Sequence, residues 1–176
     1  MAAEPSAFPA LKPAIITKVH IDPTKIHPLG VSHNGSTLTH FEVPSGTIET
    51  VPGFEPAFRA TVTFGGDWFS LDADGKHGRV NFRGIAKTDD GHVIDVRTYG
   101  IIDLVPAAAK VFTLQPDMAS VPFGHAAARV EYLVSDPKLK FLEHSFIVGN
   151  AQIIIDEQGV TIENRQSIVL TPKAPE

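Results

Sequence analysis

Charged and hydroxyl side chains occupy alternate positions in residues 92–102, which is the pattern of one face of a β-strand. Asp95, Arg97 and Tyr99 share that face, and apolar or small residues fill the other. A second β-type stretch, which holds Arg83 on its polar face, precedes it across a four-residue turn. Hairpin pairing would bring the two polar faces side by side.

This polar face has two interpretations. As the inner wall of a ligand cavity, Arg83 and Arg97 could bind a carboxylate, phenolate or enolate oxygen with their guanidinium forks. The Tyr99 hydroxyl could then give or take a proton. As an outer face, the same residues would form cross-strand ion pairs in water. The functional interpretation makes Arg83, Arg97 and Tyr99 catalytic candidates.

A second candidate site is Asp67-Trp68, directly after Gly65-Gly66, a pair that predicts a bulge or bend. In a site, Trp68 would form a flat wall for a planar ligand and Asp67 would act as a carboxylate base. The structural alternative is a core Trp beside an Asp that caps the bend.

A third candidate is the run that contains Phe141, Glu143 and His144. Strand alternation would send Glu143 and His144 to opposite faces, so they would not act as a dyad. A buried Glu143 would have a raised pKa and could serve as an acid or base. Phe141 and His144, together with His33 and His40 from a loop, are the expected ligand-binding residues, and either loop histidine is a further candidate base.

Acidic pairs also occur at 72/74 and 89/90, but both lie in turn sequences that end in Gly, as does 156–159. Asp in such turns caps backbone N–H groups, and Gly supplies the positive φ that hairpins need. These carboxylates therefore indicate turns rather than catalysis.

Short β-type runs recur along the chain and predict an all-β fold: a single antiparallel β-barrel, lipocalin-like, with one short helix at 106–112. Residues 22–40 and 113–125 are expected to be loops. Residues 1–13 are predicted to be a flexible arm, and 14–172 the barrel domain. The expected strands are 14–21, 46–51, 57–64, 67–72, 78–87, 92–102, 127–134, 140–148, 151–155 and 160–170.

Composition narrows the function classes. A net charge of −5 and a pI of about 5.9 argue against nucleic acid or an anionic membrane as partner. The absence of cysteine excludes thiolate catalysis, and the chain shows neither a secretory signal nor a membrane-length apolar run. The histidines lack close metal-ligand spacing. We therefore expect a cytoplasmic protein without metal or cofactor.

Several short motifs occur together in roughly residues 40–155: Gly46-Thr47-Ile48, Gly65-Gly66-Asp67-Trp68, Arg83, Thr88-Asp89-Asp90-Gly91, Val96-Arg97, Tyr99-Gly100, Leu142-Glu143 and Phe146-Ile147-Val148-Gly149. Through these motifs the chain resembles the DUF3237 (UPF0311) family. It departs from that family in having GGDW for the common GGADW, Asp95 to Tyr99 for Tyr-x-Arg-x-Arg, and Phe141 to Glu143 for Trp-Leu-Asn. The resemblance therefore implies a changed pocket wall.

This resemblance implies a compact β-barrel and, by likeness to fungal members, a chalcone-isomerase-like activity. The expected function is a cofactor-independent isomerase or cyclase of a phenolic or polyketide-type small molecule. The alternatives are a non-catalytic barrel that binds a hydrophobic ligand and a structural subunit. A homodimer is the default expectation for an oligomer.

Overall fold

The computed structural model describes residues 7–157 and 159–172, and these form ten strands and two short helices. The strands are antiparallel throughout. Their bounds are β1 Ala10–Ile21, β2 Ile26–Val31, β3 Thr37–Glu42, β4 Ser45–Thr50, β5 Arg59–Leu71, β6 His77–Thr88, β7 Val93–Asp103, β8 Ala126–Val134, β9 Ile147–Asp156 and β10 Gly159–Leu170.

The sheet closes on itself because β5 pairs with β6 as well as with β4. Within the described chain, the closed ring runs β1-β4-β5-β6-β7-β8-β9-β10 and returns to β1. β3 pairs with β5 beyond the end of β4, and β2 flanks β3 as an edge strand. The predicted single antiparallel β-barrel is confirmed, and its eight-strand ring is large enough to hold a small cavity.

The predicted helix is confirmed at the predicted bounds, as α1 Pro106–Phe112 with Pro at its first position. The three predicted hairpin turns are confirmed too. Gly75, Gly91 and Gly159 have φ of +69°, +89° and +109°, the left-handed region that these turns require.

Several element predictions are wrong. The expected loop 22–40 contains β2 and β3, where Pro28 and Gly30 are tolerated at a bulge of an edge strand. The expected strand 140–148 is mostly a 3₁₀ helix, Pro137–His144, whose start is capped because Asp136 Oδ1 accepts the Lys138 N–H (2.8 Å).

The expected strands 57–64 and 67–72 are one strand, β5. Its bulge lies between Val62 and Phe64 rather than at Gly65-Gly66. Of the expected arm, residues 1–6 lie outside the described residues, and β1 already begins at Ala10, where it pairs with Leu170.

The two helices close opposite ends of the barrel. β7 begins beside the 3₁₀ helix, where the Ser135 N–H donates to the Val93 carbonyl, and ends beside α1. At the first end Leu139 and Leu142 insert into a solid core. At the other end α1 buries Val111, and its Phe112 ring stacks on Phe69 at 4.3 Å. One half of the barrel is therefore filled, and the other is covered by a short helix.

Leu142→Ala should destabilise the protein by about 2–5 kcal/mol, because the side chain is 1% exposed and its loss leaves a cavity in the filled half. Leu133→Ala is the matched control, since Leu133 is 58% exposed, and it should change the free energy of unfolding by less than about 0.5 kcal/mol. Urea denaturation of both variants measures the difference. Equal effects would show that the 3₁₀ helix does not plug the barrel.

Candidate ligand cavity

A cavity of about 80 Å³ occupies the half of the barrel beneath α1. Its walls are mainly aliphatic and aromatic, with four polar side chains among them. The lining residues are Thr17, Val19, Ile21, Phe41, Val43, Asp67, Val80, Phe82, Thr98, Ile102, Phe112, Ile162 and Asn164. Apolar walls with a few polar groups are typical of small-molecule sites.

Asp67 is the ionisable group in this lining. Asp67 faces inward from β5, in register with Phe82 on β6. The pairing of the two strands is interrupted after this residue and resumes at Ser70 with Arg79. In this gap the Asn81 N–H donates to Asp67 Oδ1 (2.8 Å). Burial raises the pKa of Asp67 to about 7, and this single hydrogen bond only partly opposes the rise.

Asn164, on β10, brings an amide to the same cavity. The residue is 7% exposed, and its Oδ1 is a buried polar atom without a hydrogen-bond partner. The oxygen lies against Gly149 of β9, where a Cβ would come within 2.2 Å of it. Gly149 therefore makes the space that the Asn164 amide occupies.

A buried hydrogen-bond chain borders the cavity below Asn164. The Tyr132 hydroxyl donates to Gln166 Oε1 (2.6 Å), and Gln166 Nε2 donates to Thr17 Oγ1 (2.9 Å). Burial raises the pKa of Tyr132, so its phenol stays neutral. Because Tyr132, Gln166 and Thr17 are hydrogen-bonded to one another, they form a rigid polar border to a cavity whose other walls are largely apolar.

Arg83, Arg97 and Tyr99 do not form the inner wall that the functional interpretation required. Their strand neighbours Phe82, Val96 and Thr98 face inward, so these three face outward. The side chains of Arg83 and Arg97 are 57% and 40% exposed. Because side chains alternate between the two faces of a strand, the polar face must point outward once the apolar face fills the barrel.

The two arginines instead clamp Asp95 on the outer surface. Arg83 Nη2 and Arg97 Nη2 lie 2.7 and 3.1 Å from Asp95 Oδ2. Desolvation acts to raise the pKa of Asp95, but the hydrogen bonds from Arg83 and Arg97 outweigh it and hold the pKa below its usual value. Tyr99 lies under the Arg129 guanidinium at 5.1 Å. The cross-strand ion-pair interpretation describes this face.

Trp68 also lies outside the barrel, half exposed, and does not form a cavity wall. It follows Asp67, so alternation turns it outward, where it packs on His40 at 4.5 Å. The His40 ring covers Gly66, at which a Cβ would come within 2.3 Å of His40 Nε2. His33 is exposed in the β2–β3 turn, so neither expected histidine reaches the cavity.

The third candidate lies at the filled end of the barrel. Glu143 Oε1 accepts hydrogen bonds from the Val134 N–H (2.8 Å) and Lys140 Nζ (2.7 Å). The Lys140 bond, followed by that of Val134, lowers the pKa of Glu143, the opposite of the expected rise. Phe141 packs on Phe54, and His144 is exposed. Glu143 therefore fastens the 3₁₀ helix to β8.

Two groups of side chains on the barrel rims bring carboxylate and imidazole atoms within 4.8 Å of one another: Asp72, Asp74 and His77, and Asp90, His92 and Asp136. Members of both groups already have structural partners. Asp72 binds Arg79 in a fork, and Asp136 caps the 3₁₀ helix. The expectation that the protein needs no metal stays a prediction.

Of the site residues expected from sequence, the structure therefore brings Asp67 alone into the cavity. Asn164, Thr17 and Phe112 line the cavity but were not among the site residues predicted from the sequence. A signal for Asn164 exists: in residues 160–166 the otherwise apolar inward face ends in Asn164 and Gln166. Polar residues on an apolar face indicate either a buried network or a site.

The chain belongs to the family described as protein of unknown function DUF3237, whose model matches residues 9–167. None of the proteins of curated function matches it. Within the described residues, no helix is both long and apolar enough to cross a membrane.

Solved structures share this fold at low sequence identity. A β-barrel-like protein from Acinetobacter baumannii AYE is 18% identical, with a TM-score of 0.69 over 97% of this chain and 100% of its own. A conserved protein of unknown function from Rhodopseudomonas palustris is 17% identical, with 0.73 over 93% and 99%. An enzyme from Penicillium herquei is 17% identical, with 0.60 over 95% and 99%. At this identity the likeness establishes the barrel.

The raised pKa of Asp67 makes stability depend on pH. The folded protein holds this proton up to about pH 7, whereas the unfolded chain loses it near 3.8. The contribution of this proton to the free energy of unfolding is therefore complete below pH 3.8 and is lost as the pH rises from there through 7. Between pH 5 and 8, wild type should lose about 3 kcal/mol relative to Asp67→Asn. Urea denaturation of both proteins at these two pH values measures this, and a constant difference would contradict it.

Proposed function

We propose that the protein is a cofactor-independent isomerase or cyclase that acts on a phenolic or polyketide-type small molecule, with Asp67 as its general acid and base. The observation that carries the proposal is the desolvated Asp67 carboxyl in an apolar cavity. Its pKa of about 7 is matched to taking and returning a proton at neutral pH. The cytoplasm as its location is part of this proposal and is supported by the cysteine-free composition.

A chalcone-like ring closure illustrates the chemistry. Asp67 in its ionised form takes the phenolic proton, and the phenolate oxygen adds to the conjugated C=C bond to form the new C–O bond. The electron pair moves to the carbonyl oxygen as an enolate. Protonated Asp67 then returns the proton to the α-carbon, so the reaction is a net isomerisation.

The size of the cavity limits how a substrate binds. A cavity of about 150 Å³ can hold benzene, whereas this one measures about 80 Å³. A two-ring substrate therefore places its reacting end inside and requires Phe112, on α1, to move from the mouth. α1 has seven residues and is packed on one side only, which suits it to such a movement.

The second candidate function is a non-catalytic barrel that binds a hydrophobic molecule. The largely apolar walls of the cavity favour it, since such walls need no acid or base to hold a ligand. Trp68 cannot report occupancy directly because it lies on the outer surface, so calorimetry is the suitable binding assay.

Conversion of a 2′-hydroxychalcone to the flavanone, followed by absorbance, tests the proposal. The wild-type rate should rise as the pH increases through about 7, since ionised Asp67 is the base. Asp67→Asn should reduce the rate by about 10²-fold or more. Asp103→Asn is the matched control because its carboxylate is 63% exposed on β7, and it should leave the rate unchanged.

Two outcomes would refute the assignment. An undiminished rate in Asp67→Asn would remove Asp67 from the chemistry. Binding of the chalcone with recovery of the unchanged compound would instead support the binding barrel.

A further inference from the structure

The charge distribution of the cavity restricts what can bind there. Among the described residues that line it, Asp67 is ionisable and no Lys, Arg or His is present. Its pKa is shifted by burial and by one backbone hydrogen bond, with no contribution from a neighbouring cation. An anionic ligand would enter an apolar space beside a carboxyl group with no counter-charge. The cavity therefore disfavours an anionic ligand.

The Asn164 amide supplies a hydrogen-bonding group on a different wall from Asp67, since β10 carries the one and β5 the other. Its Oδ1 is covered and lies against Gly149. The amide lies over Gly149 with Oδ1 nearer than Nδ2, at 2.2 and 3.0 Å from the position that a Cβ would take. Since Oδ1 is the covered end, Nδ2 is the end of the amide available to a ligand in the cavity. An Asn NH₂ group can only donate, so its partner must be a hydrogen-bond acceptor.

We propose that the cavity is specific for an uncharged carbonyl compound, whose oxygen accepts a hydrogen bond from Asn164 Nδ2. The preference for a carbonyl ligand does not depend on the proposed function. Only the role of Asn164 in catalysis rests on it, because that role requires Asp67 to act as the base. When ionised Asp67 removes an acidic proton from such a compound, the electron pair moves into the carbonyl oxygen. The Asn164 N–H then stabilises the enolate, as donors in oxyanion holes do.

Gly149 is a positioning residue in this arrangement. A methyl group at this position would come within 2.2 Å of Asn164 Oδ1 and would push the amide from its seat. A side chain at 149 should therefore weaken the hydrogen bond to the ligand without altering the apolar walls.

Three small probes of six non-hydrogen atoms each separate the contributions: cyclopentanone, methylenecyclopentane and isobutyrate. Each is about the size of benzene, so Phe112 must move to admit any of them, and this requirement affects all three alike. Binding is measured by NMR titration of the wild-type protein. Cyclopentanone should bind about tenfold more tightly than methylenecyclopentane, which lacks the acceptor, as one buried hydrogen bond allows. The carboxylate should bind more weakly than either.

Asn164→Leu should abolish the preference for the ketone, so that cyclopentanone and methylenecyclopentane bind about equally. Asn150→Leu is the matched control, because Asn150 is exposed on β9, and it should keep the preference. Gly149→Ala should weaken ketone binding and leave methylenecyclopentane binding unchanged, whereas a merely structural defect would weaken both. This variant also keeps the test valid if Asn164→Leu does not fold.

A ketone preference that persists in both Asn164→Leu and Gly149→Ala overturns the proposal, and so does tight binding of the carboxylate. These ratios do not depend on turnover. A protein that prefers the ketone but fails to close the chalcone ring would refute the proposed activity and leave the ligand class standing.

Discussion

The partly buried carboxyl group of Asp67, which lines an otherwise largely apolar cavity, is the constraint on which the properties of this half of the barrel depend. Ionised Asp67 loses hydration in the barrel, and one backbone N–H, from Asn81, compensates only in part. The gap in the β5–β6 ladder makes that N–H available. A carboxyl group whose pKa is raised to about 7 by loss of hydration lowers the stability of the folded protein at neutral pH. Such a loss of stability is expected where a site needs a group that carries a proton.

Asp67, which lowers stability, lies at one end of the barrel, and the packed core that stabilises the fold lies at the other. Leu139 and Leu142 from the 3₁₀ helix fill one end, and Glu143 fastens that helix to β8 through Val134. At the other end, Thr17, Thr98 and Asn164 take inward positions where larger aliphatic side chains would fill the space. The filled end can support a cavity at the other because eight strands enclose both.

The barrel class, the hairpin turns and α1 could be predicted from the sequence, because alternation and turn chemistry are local. The direction of the Arg83, Arg97 and Tyr99 face could not, since a period of two defines two faces without saying which one is inside. The apolar residues on the opposite face, such as Phe82 and Val96, indicate that their own face is the inner one. Burial alone does not distinguish the faces, because Asp95 on the outer face is nearly as buried as Phe82 through its ion pairs with the two arginines. Asn164 could not be assigned to a site from the sequence, because a polar residue on an apolar face indicates a buried network as readily as a site.

A ¹³C NMR titration of the Asp67 side-chain carboxyl measures directly whether Asp67 can act as the acid and base of the cavity. The signal is assigned by its loss in Asp67→Asn, and its chemical shift is followed from pH 4 to pH 9. We expect a titration midpoint at the Asp67 pKa of about 7. A midpoint near the ordinary value of 3.8 would show that the carboxyl is hydrated, and it would contradict the assignment of Asp67 as the acid and base of the cavity.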